Sequence, residues 1–147
     1  MIALVGLALA GCGGDEPDNP DDPPQAGQIT YSRSGGIAGL AELLEIEANG
    51  SATLTVGYGP NQRVEEFGVP PAELERIAAG IESAGIDALD RGVDTGCADC
   101  FTYELGFEGE TATADSVTST AAFSGAVGPL VALIEQHRPP ESGGKGA

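Results

Sequence analysis

An alternation of apolar and polar residues two-thirds of the way along the chain most constrains the fold. Residues 101–108 read Phe-Thr-Tyr-Glu-Leu-Gly-Phe-Glu, so every second side chain is apolar. Successive side chains of a strand point to opposite faces, and the pattern therefore predicts a strand with one buried face and one face in water. Strands of this kind are typical of antiparallel sheets that are covered on one side.

Shorter alternations predict the other strands of this sheet. They lie around Ile29, at 40–46, at 52–58, at 112–114 and, more weakly, at 62–67. Two further segments repeat apolar residues every three or four positions, which is typical of one face of a helix. These positions are Leu74, Ile77, Ala78 and Ile81 after Pro70-Pro71, and Val127, Leu130, Val131 and Ile134 before Pro139-Pro140. Proline fits best in the first turn of a helix, so Gly128-Pro129 leaves the start of the second helix undefined.

Strand runs that are each followed by a helix favour the α+β class. We therefore predict an antiparallel sheet of about five or six strands, with two helices packed on it. Residues 29–138 would form this domain, and 139–147 a flexible tail.

The turn at Asn49-Gly50 can be predicted in detail because the alternating apolar residues of both flanking strands share one parity, that is, they all have even numbers. A two-residue Asn-Gly loop would place the apolar residues of the two strands on opposite faces. A three-residue loop of 48–50 instead pairs Leu44 with Leu54 and keeps both apolar sets on one face. We therefore predict the longer loop, with Gly50 in the left-handed conformation.

The second hairpin follows the alternating segment 101–108. Ala112 and Ala114 share the apolar face of that strand only if the loop has an even number of residues. We predict a two-residue turn of Gly109-Glu110, with glycine in the first position.

The N-terminus resembles an export signal followed by a lipid attachment site. Residues 2–9 are apolar but too few to span a bilayer, and they end in Leu9-Ala10-Gly11-Cys12. This string resembles the bacterial lipobox, in which the cysteine thiol is acylated and becomes the mature N-terminus. We expect 1–11 to be a signal peptide and Cys12 to hold the protein to a lipid bilayer of the cell envelope. The alternative is an apolar N-terminus with a buried Cys12.

Residues 12–28 are expected to be a disordered tether between the lipid and the domain. The segment 13–28 holds five acidic residues and four prolines and has no apolar periodicity, so it cannot form a core. The whole chain has 6 basic and 23 acidic residues and a formal net charge of −17. Such a charge repels phosphate backbones and argues against a nucleic-acid partner.

Residues able to carry out catalysis are few, and we expect neither an enzyme nor a cofactor or metal site. Cys97 and Cys100 allow four interpretations: half a zinc site, a redox pair, a structural disulfide or two free thiols. Export from the cytosol favours the disulfide. His137, at the end of the last helix, is expected to cap the helix or be solvated. The glutamates, Glu42 among them, lie mostly on predicted polar faces.

A glycine-rich string follows the first predicted strand. Residues 33–39 read Arg-Ser-Gly-Gly-Ile-Ala-Gly. Glycine pairs allow positive φ and close approach of a backbone. The plainest interpretation of the string is a bulge or wide turn that joins the first two strands.

Together with the Pro70-Pro71 helix, the alternation at 99–105 and the closing helix, this string resembles the emfourin family. The resemblance covers roughly 29–138. It implies a small α+β protein that inhibits thermolysin-like zinc metallopeptidases.

If inhibition is shared, the string would dock in the cleft of a secreted or envelope peptidase. Ile37 or Leu40 would supply a bulky apolar side chain, and Gly35 and Gly36 would allow close approach, with Arg33 and Ser34 beside them. A preorganised loop binds tightly because little conformational entropy remains to be lost. The alternative function is a structural or accessory envelope lipoprotein with no inhibitory activity.

Overall fold

The computed structural model describes residues 27–94 and 96–141. Six strands form one antiparallel sheet in the order β4-β3-β2-β1-β5-β6. The strands are β1 (Ile29–Gly35), β2 (Leu40–Ile46), β3 (Ser51–Val56), β4 (Arg63–Gly68), β5 (Phe101–Phe107) and β6 (Glu110–Asp115). The helices are α1 (Pro71–Ala84), α2 (Ile86–Leu89) and α3 (Ala121–His137), and a 3-10 turn covers Gly59–Asn61. The predicted α+β class is confirmed, and the one-turn helix α2 was not predicted.

The predicted signal peptide, Cys12 and the predicted linker up to residue 26 lie outside the described residues. The same is true of residues 142–147 in the predicted tail. All strands and helices named above, and the core between them, lie within 29–137. This part of the chain carries its own core and is therefore expected to fold by itself.

The register aligns buried side chains in rows across one face of the sheet, which we call the inner face. Tyr31 of β1 pairs with Leu44 on one side and Leu105 on the other. The next row joins Ile29 with Ile46 and with Phe107. All these residues are buried, and they share a single core with residues of all three helices. The opposite, open face carries polar side chains such as Ser32 and Thr55.

The predicted three-residue loop between β2 and β3 is confirmed. Leu44 pairs with Leu54, and the Glu47 N–H donates to the Ser51 carbonyl at 2.8 Å across the loop of residues 48–50. Gly50 has a φ of 88°, and a Cβ there would lie 2.6 Å from the Val69 carbonyl oxygen. The position therefore requires glycine both for its backbone angle and for space.

The turn between β5 and β6 has the predicted length but lies one residue earlier than predicted. Phe107 pairs with Glu110, so the turn residues are Glu108 and Gly109 instead of Gly109-Glu110. Their φ angles of 49° and 83° fit a type I′ turn, whose twist matches that of the strands. The two registers differ by two residues, so both keep the alanines of β6 on the inner face, and parity alone could not distinguish them.

Helix α3 begins eight residues before Pro129, at a boundary that the sequence had left undefined. The Thr120 hydroxyl caps it by accepting from the Phe123 N–H at 3.2 Å. Proline inside a helix costs about 3 kcal/mol. Phe123, Ala126 and Val127 are buried ahead of Pro129, so tertiary packing offsets this cost.

Helix α3 crosses the inner face diagonally. Near its start the Phe123 ring lies 6.1 Å from that of Tyr103 on β5, and at its end His137 stacks on Phe67 of β4 with centroids 3.7 Å apart. His137 was expected to cap the helix or be solvated. It lies in the last turn, as expected for a cap, but its ring is packed and half-buried.

The strand directions give the sheet two distinct ends. The turn end holds Gly27, the 48–50 loop and the Glu108-Gly109 turn. The loop end holds the 36–39 connection, the 57–62 connection and the start of β5. Strand β1 therefore runs from the turn end, where the chain arrives from residue 27, to the loop end.

Candidate functional site

The glycine-rich string forms a hairpin tip at the loop end. Gly35 pairs with Leu40, which leaves 36–39 as a four-residue loop closed by a hydrogen bond from the Gly39 N–H to the Gly36 carbonyl at 3.1 Å. Ile37 lies at this tip with 91% of its surface exposed. The string thus joins the first two strands and presents a large apolar side chain to solvent.

Close backbone contacts hold this tip against the segment before β5. The Gly36 N–H donates to the Cys100 carbonyl at 3.2 Å. A Cβ on Gly35 would lie 2.6 Å from that same oxygen, and one on Gly36 would lie 2.7 Å from the Phe101 ring. Both glycines also have positive φ angles, of 98° and 72°. Larger residues cannot occupy these two positions without displacing the loop.

Cys97 and Cys100 form a disulfide in the structure, with their Cα atoms 5.5 Å apart. Of the four interpretations of this pair, the geometry fits the bridge. The carbonyl that accepts from Gly36 belongs to Cys100, so the bridge constrains the backbone on which the tip rests. The Cys97 N–H also donates to the Asp94 carbonyl at 3.2 Å.

Exposed apolar side chains concentrate at the loop end. Tyr58, which is 59% exposed, lies in the 57–62 connection and donates its hydroxyl hydrogen to the Leu40 carbonyl at 3.3 Å. Val117, which is 62% exposed, follows the end of β6, where the Ser116 N–H donates to the Phe101 carbonyl. Ile37, Tyr58 and Val117 lie on three separate connections at this end of the sheet, and we call these three exposed side chains the apolar rim.

The remaining residues predicted for the binding loop do not gather at the tip. Leu40 is half-buried at the start of β2, so Ile37 alone presents a bulky apolar side chain there. Ser34 lies on the open face, in a groove of about 380 Å³ that it shares with Ser32, Leu43 and Tyr58. Arg33 lies on the inner face instead, with its guanidinium carbon 5.8 Å from the centroid of the Phe101 ring.

A buried carboxylate explains the orientation of Arg33. The side chain of Glu42 has no solvent exposure, and Arg33 bonds its Oε2 through Nη2 at 2.8 Å and Nε at 3.0 Å. Arg138, just after α3, forms an ion pair with Oε1, although this contact lacks the alignment of a hydrogen bond. Glu42 is thus an exception to the expectation that the glutamates lie mostly on polar faces, and two partly exposed arginines compensate its buried charge.

A cavity of about 290 Å³ lies beside this ion pair, between the sheet and the first half of α3. Its lining includes Tyr31, Arg33, Tyr103, Phe123 and Ser124. Burial raises the pKa of Tyr31 to about 12, an effect that Arg33 partly opposes. The phenol therefore stays protonated at neutral pH.

Two aspartates fasten the 90–99 segment to β6. The Asp90 carboxylate accepts from the Thr113 N–H and hydroxyl, both at 2.9 Å. Asp115 accepts from the N–H groups of Thr118, Asp94 and Val117. Hydrogen bonds from Thr113 lower the pKa of Asp90, and those from Thr118 and then Asp94 lower the pKa of Asp115. These bonds hold the disulfide-bearing segment in place under the tip.

The C-terminal segment is also fastened, beyond the predicted domain boundary at residue 138. Arg63 at the start of β4 donates to the carbonyls of Pro139 and Pro140. Pro139 is buried, and the described chain ends at residue 141. The first residues of the predicted tail therefore lie against the domain.

Within the ranges that the structure describes, no three His, Cys, Asp or Glu side chains are grouped so that they could hold a metal ion. The helices in those same ranges are too short or too polar to cross a membrane. No model of a known protein family matches the sequence, and no curated protein is significantly similar to it. The function must therefore be argued from the loop end itself.

Sequence reasoning found Ile37, its glycines and the cysteine pair, but missed Tyr58, Val117, Arg138 and the two aspartates. Tyr58 had been counted as the last residue of an alternating strand, although Gly57 beside it is a signal for a strand end. Arg138 and Asp90 act through contacts between segments distant in sequence, for which one sequence contains no signal. Asp115 also accepts from the N–H groups of Val117 and Thr118, a local turn that the Asp-x-x-Thr spacing could have indicated.

The Glu42 cluster predicts a large cost for removing its charge. Glu42→Gln leaves Arg33 and Arg138 without their shared partner. Breaking a buried ion pair costs about 3–5 kcal/mol, and we expect about 3 kcal/mol because the arginines remain partly exposed. Urea unfolding at pH 7 measures the loss. The matched control Glu75→Gln, on the exposed side of α1, should change stability by less than about 0.5 kcal/mol; an equal effect of both variants would contradict the role of the cluster.

The fastening of the 90–99 segment predicts a loss of stability in acid. Asp90 and Asp115 have pKa values below 3.8 in the folded protein, so their stabilisation is complete above that pH and is lost as the pH falls through the lowered values. Urea unfolding of Asp115→Asn between pH 7 and 2 should show a lower midpoint than that of the wild type at pH 7. The midpoint should also decrease less steeply than that of the wild type as the pH is lowered. Asp87→Asn, at an exposed position in α2, should leave the midpoint at pH 7 unchanged. A wild-type acid profile in Asp115→Asn would contradict this role.

Proposed function

We propose that this chain is a membrane-anchored envelope lipoprotein whose domain binds another protein without catalysis, and that the bound protein is a thermolysin-like metallopeptidase that it inhibits. The observation that carries the proposal is Ile37, which is 91% exposed at the tip of a hairpin held by the Cys100 carbonyl. A large apolar side chain held in water gains free energy when a partner buries it.

The shape of the tip supports insertion into a cleft. Ile37 is flanked by Gly36 and Ala38, and Gly39 closes the loop, so the tip is narrow apart from one bulky side chain. The bond from Gly36 to Cys100 and the nearby disulfide restrain it before binding, which reduces the entropy lost on docking. Thermolysin-like clefts favour a bulky apolar residue after the scissile position, which is the feature that the tip offers.

The apolar rim supports a protein partner over a small ligand. Tyr58 and Val117 are exposed on separate connections at the same end of the sheet as Ile37, so a partner protein is large enough to reach several of these side chains, whereas a small ligand is not. Tyrosine is enriched in protein interfaces because it combines a large apolar surface with a hydrogen-bonding hydroxyl. The rival function, an accessory envelope lipoprotein without inhibitory action, gives this rim no specific role.

The lipoprotein part of the proposal rests on Leu9-Ala10-Gly11-Cys12 and on the acidic, proline-rich residues that follow. The disulfide between Cys97 and Cys100 supports export, since such bonds persist outside the reducing cytosol. It also leaves Cys12 as the one cysteine available for acylation.

Inhibition can be measured by titrating a thermolysin-like peptidase with residues 27–147. We expect stoichiometric loss of peptidase activity with the wild type. Ile37→Asp should raise the inhibition constant at least a hundredfold, because it places a charge where the cleft receives an apolar group. Ala79→Asp, an equal charge change on the exposed side of α1, should inhibit as the wild type does. Negligible inhibition by all three proteins would favour the accessory function instead.

Acylation can be measured on the full chain expressed in a bacterium that processes lipoproteins. Intact-mass analysis of the membrane fraction should show loss of residues 1–11 and addition of a diacylglyceryl group at Cys12. Cys12→Ser should abolish both changes and release the protein from membranes. An unmodified Cys12 with residues 1–11 still attached would contradict the lipid anchor and leave the inhibition result unaffected.

A further inference from the structure

We propose that the free edge of β4 is a second binding surface, which takes an extended, basic peptide segment of a partner protein as an added strand. This surface is separate from the loop-end tip and does not depend on peptidase inhibition. The proposal follows from a difference between the two edges of the sheet.

The β6 edge is already covered by the chain itself. The Arg91 N–H donates to the Thr113 carbonyl at 2.8 Å, and the Thr113 N–H donates to the Asp90 carboxylate. Two residues farther along, the Asp115 N–H donates to the Thr118 hydroxyl at 2.9 Å. The outward backbone groups of Thr113 and Asp115 therefore have partners, and this edge has little room for another strand.

The β4 edge has no such cover among the described residues. The Val69 N–H donates to the Gly50 carbonyl at 2.8 Å, so by the alternation of an antiparallel ladder Glu65 and Phe67 also bond toward β3. The residues between them turn their N–H and C=O groups outward. These outward residues are Val64, Glu66 and Gly68.

The space beside these groups is open. Val64 is 55% exposed, Glu66 is also exposed, and a Cβ built on Gly68 would have no atom within 4 Å. Three outward residues in succession offer hydrogen bonds to an added strand of about five residues. Pairing of this kind supplies affinity through the main chain and specificity through alternate side chains.

The carboxylates on β4 favour a basic occupant, because the one cation of this strand, Arg63, is bonded to the carbonyls of Pro139 and Pro140. Glu65 lies on the inner side of the strand and Glu66 on the open side, within a chain of net charge −17. Opposite charges across neighbouring strands are stabilising, and like charges are destabilising. A lysine or arginine opposite Glu66, with an apolar residue opposite Val64, would complement this edge.

The same charges disfavour occupants that come from this protein. Antiparallel pairing of two β4 edges would bring the glutamates of the two copies together. The predicted linker 13–28 is acidic, and its four prolines lack the N–H donors that an added strand needs. A basic segment of a different protein remains the best fit to the edge.

The test uses residues 27–147 and an end-blocked octapeptide, Thr-Lys-Thr-Val-Thr-Lys-Thr-Val, in which lysine and valine alternate along one face so that lysine can lie opposite Glu66 and valine opposite Val64. Calorimetry should show binding that weakens with salt, and amide hydrogen exchange should slow at Val64, Glu66 and Gly68. The same peptide with N-methyl groups on alternate residues keeps its charge but loses its strand hydrogen bonds, and it should bind at least tenfold more weakly. Equal binding of the two peptides would overturn the proposal, because it would show charge attraction without strand pairing.

Matched variants separate this surface from the others. Glu66→Gln should weaken peptide binding about two- to fivefold, the size of one cross-strand charge pair. Glu75→Gln on α1 and Ile37→Asp at the tip should leave it unchanged. Two other outcomes would overturn the proposal. One is a concentration-dependent dimer that protects the β4 amides, and the other is protection without peptide that disappears when the chain is shortened to end at Glu141.

Discussion

A single helix, α3, spans most of the width of the sheet and closes the core together with α1 and α2. From Phe123 to His137 an α-helix advances about 21 Å. The strands that these residues contact, β5 and β4, are four spacings apart in the sheet, or about 19 Å. The length of α3 therefore matches the width of sheet that it covers. Because the whole helix contributes to that cover, the domain retains it in spite of Pro129.

The helices cover only one face of the sheet, and this determines where binding groups can lie. The inner face is filled by the core and by Glu42 with its arginines, so it offers little surface to a partner. The open face and the ends of the strands remain accessible, and the loop end gathers the apolar rim. Restraint of that end comes from backbone bonds and from the disulfide, which do not themselves occupy the exposed tip. Rigidity and exposure can thus occur in the same few residues.

The sequence was sufficient to predict the fold class, the strands and one hairpin in detail. Alternation has a period of two, so it specifies which residues share a face, and Leu44 opposite Leu54 followed from parity together with loop length. The same parity could not separate Gly109-Glu110 from Glu108-Gly109. That choice depends on the twist of a type I′ turn and on whether Glu108 can adopt a positive φ.

The missed features involve residues that are distant in sequence. The burial of Glu42 was not predicted, because one of its partners, Arg138, lies at the far end of the domain and no local pattern connects the two residues. The tip residue Ile37 was found because glycines flank it, whereas Leu40, three residues later, is half-buried by contacts that one sequence does not reveal. Local rules therefore located the tip, and the packing that supports it became visible only in the structure.

The course of β1 has a consequence for how the domain would be held by anything attached upstream of it. From Ile29 to Gly35 the strand rises about 20 Å from the turn end to the loop end. A support joined directly to Gly27 would therefore lie beside the turns at the far end of the sheet, and Ile37 would point away from it. On a sensor surface, attachment at that residue leaves the tip at the distal pole of the molecule, free to meet what approaches from solution.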